Sequence, residues 1–397
     1  MTERFLSRPL LNVGIMSGRQ IEFSLPQDNG ERRQVCLEDG QVSYQGRLYP
    51  SLQFSAGSFT LYGVTIGVDF HWQRSRDLSY SGILEFIVEG DRITAVNKVD
   101  VEEYLLSVIS SEMKASAGVE FLKAHAVISR SWVLSQILSK RRSKGGAEGM
   151  VDTPEKFIHW FDHEDHSSFD VCADDHCQRY QGIGMALGEN VRQALQETCG
   201  EVLTYNDEIC DARFSKCCGG VTELFSTCWE DKDYPYLQSV EDPFCDTSNT
   251  EILSQVLNDY DLETRDFYRW EQRYTQEELS ELIIRRSGID FGVIEDLIPL
   301  ERGASGRIKR LLVKGTRRSM EIGKELIIRR WLSESHLKSS AFEVRREGSD
   351  FVLEGSGWGH GVGLCQIGAA VMGARGYDYK EILSRYYPGA EIEKCYD

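Results

Sequence analysis

The spacing of hydrophobic positions changes period along this chain, and each change marks a change of element. From Asn12 to about Asn97, short apolar runs alternate with polar positions between glycine-containing turns: LNVGI, IEFSL, QVCL, VSYQG, FTLYGVTIG, ILEFIVEG and ITAV. A period of two predicts strands of an antiparallel sheet. Gly90-Asp91 predicts a hairpin that delivers the chain into the next element. From Val99 to Leu138 the period becomes helical. Asp100 is placed to N-cap a first helix with Glu103 as its capping-box partner, and Val101, Tyr104, Leu105, Val108 and Ile109 fall on one face. A second helix starts near Val119; Leu122, Ala126, Val133 and Ile137 make its packing stripe, and Lys123, Val127 and Arg130 make another. Glu112 lies near the end of the first helix, where the dipole offers a carboxylate no stabilisation. Helix stability therefore does not explain that acid, and Lys123 and Arg130 could face a cleft that holds it.

Beyond the two helices, Ser139 to Gly149 reads as a basic, glycine-containing loop. Gln193 to Thr204 reads as a helix end running into a strand, with Gly200 as the C-cap. Asp246 to Glu271 is acidic and loop-like, and Thr275 to Arg286 is a helix. IEDLIPLERGASGRIKRLLVKG reads as two strands about a turn, and MEIGKELIIRRWL as a strand and a helix. No chemistry is assigned to this stretch. The last block is a strand, a glycine-rich loop and two helices; Asp378 and Glu381 form a capping box, and Pro388-Gly389 ends the final helix.

Composition limits the function classes. The chain has 397 residues, 41% of them hydrophobic, and a formal charge of −18 from 45 basic and 63 acidic residues. That balance repels nucleic acid and anionic lipid at long range, so both are discounted as partners. No run of eighteen apolar residues is present, and MTERFLSRPLLNVGI lacks an apolar stretch of signal-peptide length. As given, the chain is expected neither to span a membrane nor to export itself. Ten of the eleven cysteines lie after Val171, and their odd number and the Cys217-Cys218 pair argue for reduced thiols with a metal site over a disulfide framework.

Two stretches carry candidate chemistry besides Glu112. FIHWFDHEDHSSFDVCADDHC holds four of the eight histidines and two cysteines. His166, Cys172, His176 and Cys177 offer the two nitrogens and two sulfurs that zinc takes in a tetrahedron, with His163 and His159 in reserve. Neighbouring His176 and Cys177 can chelate together only from a turn. Such ligands cluster here and nowhere else in the sequence, so one zinc, structural if four ligands bind, is the expectation; unligated thiols in a polar loop are the alternative. Near the C-terminus, Gly355, Gly357, Gly359, Gly361 and Gly363 alternate around Trp358, a flat apolar face suited to a sugar ring, and His360. A dinucleotide fingerprint is excluded there, since no strand unit follows.

NKVDVEEYLLSVISSEM with FLKAHAVISRSWVL resembles the signature of the SpoIID/LytB family, bacterial proteins of sporulation and cell-wall turnover. FSKCCGGVTE (Phe214 to Glu223), PYLQSVEDPF (Pro235 to Phe244) and GSGWGHGVGLCQIGAAVMGARGYDYKEILSRYYPGAEI resemble further family blocks in the family's order. The resemblance implies an α+β fold. Its parts are a β-rich N-terminal region (1–92), a SpoIID-like catalytic core with two helices around the acid and a metal-binding insert (93–245), a smaller α/β lobe (246–350), and a glycine-rich loop with C-terminal helices completing the core (351–397). It also implies a lytic transglycosylase that cleaves peptidoglycan between N-acetylmuramic acid and N-acetylglucosamine with Glu112 as acid and base. Lys123, Arg130, Cys217, Cys218, Gly219, Gly220, Trp358, His360 and Gln366 would then hold glycan. In some members of the family a similar His/Cys cluster binds zinc. The location implied is the cell envelope. The LytB branch implies a second reading, a glycan-binding enhancer of a cell-wall amidase. A cysteine hydrolase using Cys217 or Cys218 with His360 is a third.

Overall fold

The alternation in the first hundred residues folds as expected, because each strand buries one face; in Ser58–Ile66, buried Phe59 and Leu61 alternate with more exposed neighbours. The computed structural model describes residues 5–68, 73–114, 116–142, 149–161, 166–183, 188–257 and 266–397. Two sheets are built from the N-terminal part. One runs in the order 47–49, 41–44, 33–38, 20–24, 58–66, 74–81, and the other 171–172, 10–18, 92–100, 83–89, 51–54. Strands Ile83–Glu89 and Arg92–Asp100 pair as an antiparallel hairpin about Gly90, whose φ of 60° suits glycine.

Helices α1 (Val101–Glu112) and α2 (Val119–Arg142) follow, then α3 (Glu189–Glu197), α4 (Phe225–Cys228), α5 (Thr250–Val256), α6 (Gln276–Ser287), α7 (Glu325–Trp331), α8 (Gln366–Ala374) and α9 (Tyr379–Tyr386). The fold is α+β and β-rich. Because α2 continues to Arg142, Ser139 to Arg142 belong to a helix and not to the expected loop, whose residues 143–148 lie outside the described residues. α3 is capped by Thr198, and Gly200, at φ 75°, turns the chain into the following strand. The stretch expected to be loop-like after Asp246 contains α5 and the start of strand Arg269–Tyr274.

Hydrophobic side chains gather in two clusters. The larger joins both N-terminal sheets to α1, α2, α8 and α9. The smaller contains Trp270, Leu279, Ile283, Leu311, Ile322, Ile328 and Leu353, with Phe157 and Phe161 packed on it. Strand Lys156–Ile158 pairs with Ser319–Gly323, so the chain just before the His/Cys segment is fastened to the second cluster. A cleft opens between the two clusters.

Candidate active site and metal centre

Glu112 is the last residue of α1, 8% exposed, and its Oε1 accepts the Arg179 backbone N–H at 3.3 Å. Three features place it. The Asp100 side chain accepts from Glu102 N at 2.8 Å and starts the helix; the expected bond back from Glu103 is absent, so this is a simple N-cap. The apolar face Val101, Tyr104, Leu105, Val108 and Ile109 is wholly buried. Serines on the same helix bind the segment that follows the His/Cys stretch: Ser107 Oγ donates to Gly182 O at 2.9 Å, and Ser111 Oγ accepts from Gln181 N at 3.2 Å. The result is a carboxyl held at the wall of a 420 Å³ cleft.

The His/Cys segment forms another wall of that cleft. Strand Val171–Cys172 pairs in parallel with Val13 and Gly14, and Asp170 accepts from Asn12 N at 2.7 Å and Asn12 Nδ2 at 3.0 Å. Gly14 is required here, since a Cβ would lie 2.5 Å from the Phe169 ring. A turn closed by Cys177 N to Asp174 O at 3.0 Å lets adjacent His176 and Cys177 reach one point. The ligand atoms of His166, Cys172, His176 and Cys177 all lie within 4.8 Å of one another, with Cys177 Sγ 3.5 Å from both His166 Nε2 and His176 Nδ1. Metal–sulfur bonds of about 2.3 Å and metal–nitrogen bonds of about 2.0 Å in a tetrahedron put ligands roughly 3.5 Å apart, so these residues fit an ion. Hydrogen bonds from Cys177, then from His166 and His176, pull the Cys172 thiol far below its ordinary value and favour the thiolate that a metal takes. Of the reserve ligands, His159 stacks on Phe157 at 4.1 Å beside the second cluster, and His163 lies outside the described residues.

Trp358, His360 and Gln366 also line the cleft. Phe267 stacks on Trp358 at 5.0 Å and sets the plane of the indole. His360 Nδ1 accepts from Val362 N at 3.0 Å, and burial, then the charges of Arg213, Arg307 and Arg329, push the imidazole well below its ordinary range, so the ring is neutral. The Gln366 amide is held by His125 Nε2 at 3.1 Å; burial, then Lys216, pushes His125 down to about 3.

The remaining predicted residues lie elsewhere. Lys123 is engaged by Glu120 at 2.7 Å and Glu197 at 2.6 Å. Arg130, with its side chain wholly buried, donates to both oxygens of Glu102 at 2.9 Å and to Glu201 O at 2.9 Å. Glu102 sits in the first turn of α1, ten residues or about 15 Å along the axis from Glu112. The stripe therefore turns toward the wrong end of α1 to serve the acid. Cys217 and Cys218 are buried, Gly219 and Gly220 are half-buried, and none of the four lines the cleft. A Cβ on Gly219 would lie 2.9 Å from Gly357 N, so this glycine admits the neighbouring loop and not a ligand. Cys218 Sγ contacts Asp242 and Cys245, Cys217 is hydrogen-bonded to Cys245 and Cys365, and His360 Nδ1 accepts from Val362 N, so among the described contacts neither thiol is paired with His360 as the cysteine-hydrolase reading requires. Nor is the His/Cys segment the sole gathering of metal-type ligands: Cys218, Asp242, Cys245 and Cys365 form a second.

Sequence reasoning missed the wall supplied by α7 beside the second hydrophobic cluster. Glu325 and Arg329 of α7, with Arg330 and His336, line the cleft, as do Trp132 and Gln136, one turn apart on α2. The α7 residues follow an ordinary amphipathic pattern that gives no hint of a cleft. Other carboxylates there are engaged: Glu325 with Arg329 at 3.4 Å, Asp175 with Arg179, and Asp174 with Gly67 N at 3.1 Å.

Residues 89–205 match the family described as Stage II sporulation protein (SpoIID), and residues 223–363 match a domain of unknown function, DUF8618. The chain is 26% identical over 305 residues to Stage II sporulation protein D of Bacillus amyloliquefaciens, and 25% identical over 303 residues to that of Bacillus subtilis, covering 76% of each chain in both cases. It is 26% identical over 316 residues to the amidase enhancer of Bacillus subtilis, covering 72% of this chain and 40% of that protein.

Proposed function

From the premise that this chain carries a SpoIID/LytB-family domain, we propose that it acts on the bacterial cell wall as a peptidoglycan lytic transglycosylase. The observation that carries the reading is Glu112, a carboxyl fixed at the end of a buried helix and lining a 420 Å³ cleft together with Trp358. One carboxyl suffices for this reaction. In acid form Glu112 protonates the glycosidic oxygen between N-acetylmuramic acid and N-acetylglucosamine, and that C–O bond breaks. The resulting carboxylate takes the proton of the muramic C6 hydroxyl as its oxygen bonds to the anomeric carbon, leaving a 1,6-anhydro end and the acid restored. Water is not consumed, so the second carboxylate of a hydrolase, placed about 5 to 9.5 Å away, is not needed. Trp358 offers its ring face to a sugar, and Gln366 its amide.

His166, Cys172, His176 and Cys177 are proposed to hold zinc. Bound by four protein ligands, it would supply structure, keeping the wall beside Glu112 in place. Chelation is expected to lower the melting temperature before it affects cleavage, because metal binding is coupled to folding of the segment; a melting temperature unmoved by exhaustive chelation, with metal loss verified, would remove the role. The working compartment proposed is the cell envelope. Among the described residues no helix is long and apolar enough to cross a membrane.

A relative named amidase enhancer favours a second reading, a glycan-binding protein that stimulates a separate amidase. Digestion of purified peptidoglycan with mass analysis separates the two. Anhydro-muropeptides are expected; intact glycan with stimulation of an added amidase would put the second reading first.

A further inference from the structure

Behind the wall that carries Trp358, three segments far apart in sequence bring four ligand-type side chains together. Cys218 and Cys245 are 2% exposed, Asp242 1% and Cys365 0%. Their ligand atoms all lie within 4.8 Å of one another; Cys218 Sγ is 3.5 Å from Cys245 Sγ and 3.3 Å from Asp242 Oδ2. Tetrahedral coordination with metal–sulfur bonds of about 2.3 Å sets sulfurs roughly 3.8 Å apart, so the side chains already stand at coordination spacing.

Two further observations point to a cation. Cys365 Sγ receives two backbone N–H groups, from Cys218 at 3.3 Å and from Gly368 at 3.5 Å, contacts that a metal-bound thiolate would keep. Asp242 is buried with N–H and O–H partners, Phe244 N at 3.0 Å and Tyr386 OH at 3.0 Å, yet no Lys or Arg among the described residues is in ion-pair range of it. A carboxylate buried without a positive charge is costly. Three thiols alone would make an acceptable apolar core; three thiols closing on a buried carboxylate do not.

We propose that Cys218, Cys245, Cys365 and Asp242 form a second, structural site for a divalent cation of the thiolate-binding class, zinc being the fitting member. The ion displaces one proton from each of the three thiols to solvent, and no oxidant or reductant takes part. Four protein ligands leave no open position, and the site is sealed from the cleft, so it does no chemistry on substrate. Its effect is mechanical. It joins the Cys217–Gly220 turn, the loop at 242–245 and the start of α8, whose neighbours Ser215, Lys216, Trp358 and Gln366 line the cleft. Cys217, wholly buried and hydrogen-bonded to Cys245 and Cys365, adjoins the set.

The test counts metal in the full chain purified under reductant without chelator. Two ions per chain are expected, and one in a Cys172→Ser, Cys177→Ser variant, which leaves these four residues intact. Cobalt added to that variant after zinc removal should give the strong sulfur-to-cobalt absorption of a thiolate-rich tetrahedral site, and Cys245→Ser in the same background should abolish it. Should either variant fail to fold, zinc X-ray absorption of the unaltered chain decides: more than two sulfurs per ion on average if both sites fill, two if only the His/Cys site does. One ion in the native chain and none in the folded Cys172→Ser, Cys177→Ser variant overturns the proposal and leaves the first site standing. One ion in both does the reverse. A cross-linked peptide pair joining Cys218, Cys245 or Cys365, recovered after alkylation without reduction and two hydrogens below the sum of its free peptides, would show a disulfide here and also overturn it.

Discussion

Glu112→Gln is expected to fold and to bind glycan strands as the native chain does, while releasing anhydro-muropeptides about 10²- to 10⁴-fold more slowly, the range that general acid and base catalysis contributes. The amide matches the carboxyl in size, and its oxygen can still accept the Arg179 N–H. Removing a negative charge from the C-terminal end of α1 costs the helix nothing, because that end of the dipole repels it. Among the described residues no ion pair is broken by the change. What the amide cannot do is give a proton to the glycosidic oxygen or take one from the C6 hydroxyl. A folded Glu112→Gln protein that released anhydro-muropeptides at the native rate would sink the assignment. An amidase enhancer would be indifferent to the change and would stimulate its partner as before, so the same variant weighs the two readings.

How far the sequence alone reached depended on whether the partners of a residue are local. His166, Cys172, His176 and Cys177 lie within twelve residues, and the turn that His176-Cys177 requires is there. The strand alternation before Asn97, the two helices around Glu112, the helix from Thr275 and the capping box of α9 are local patterns too, and the structure contains them. The second ligand group was invisible for the opposite reason: Cys218, Cys245 and Cys365 are 27 and 147 residues apart in their contacts, and nothing periodic links them. The cleft wall from α7 was missed because Glu325 and Arg329 at i and i+4 read as any solvated helix pair. A helical wheel put Lys123 and Arg130 on one stripe. Which way that stripe faces depends on the packing of α2 against its neighbours, and the answer was Glu197 for one and Glu102 for the other.

That packing makes Arg130 the subject of the second large effect. Arg130→Met is expected to destabilise the chain by about 3–5 kcal/mol, the cost of breaking a buried ion pair by removing one partner. The side chains are 0% and 12% exposed, so solvent screening does little to reduce the effect. Glu102 also accepts from Gly200 N at 3.3 Å and Tyr396 OH at 2.6 Å, so the pair clips together the start of α1, the middle of α2, the strand at 201–205 and the C-terminal segment. Burial pushes the Glu102 carboxyl up, but the charge and hydrogen bonds of Arg130, followed by those of Tyr396 and Gly200, outweigh it and leave the group below its ordinary value. A carboxyl depressed in the folded state adds stability that is fully present above its unfolded pKa of about 4.3 and is lost as pH falls through the folded value. Denaturant unfolding should therefore show Arg130→Met weaker than native at neutral pH, with the gap narrowing in acid. The double variant Arg130→Met, Glu102→Leu should cost less than the sum of its parts, since the two residues act as one unit. If Arg130 instead touched glycan, as its stripe on α2 suggested, Arg130→Met would keep native stability and lose only affinity for peptidoglycan; that result would return the residue to the cleft.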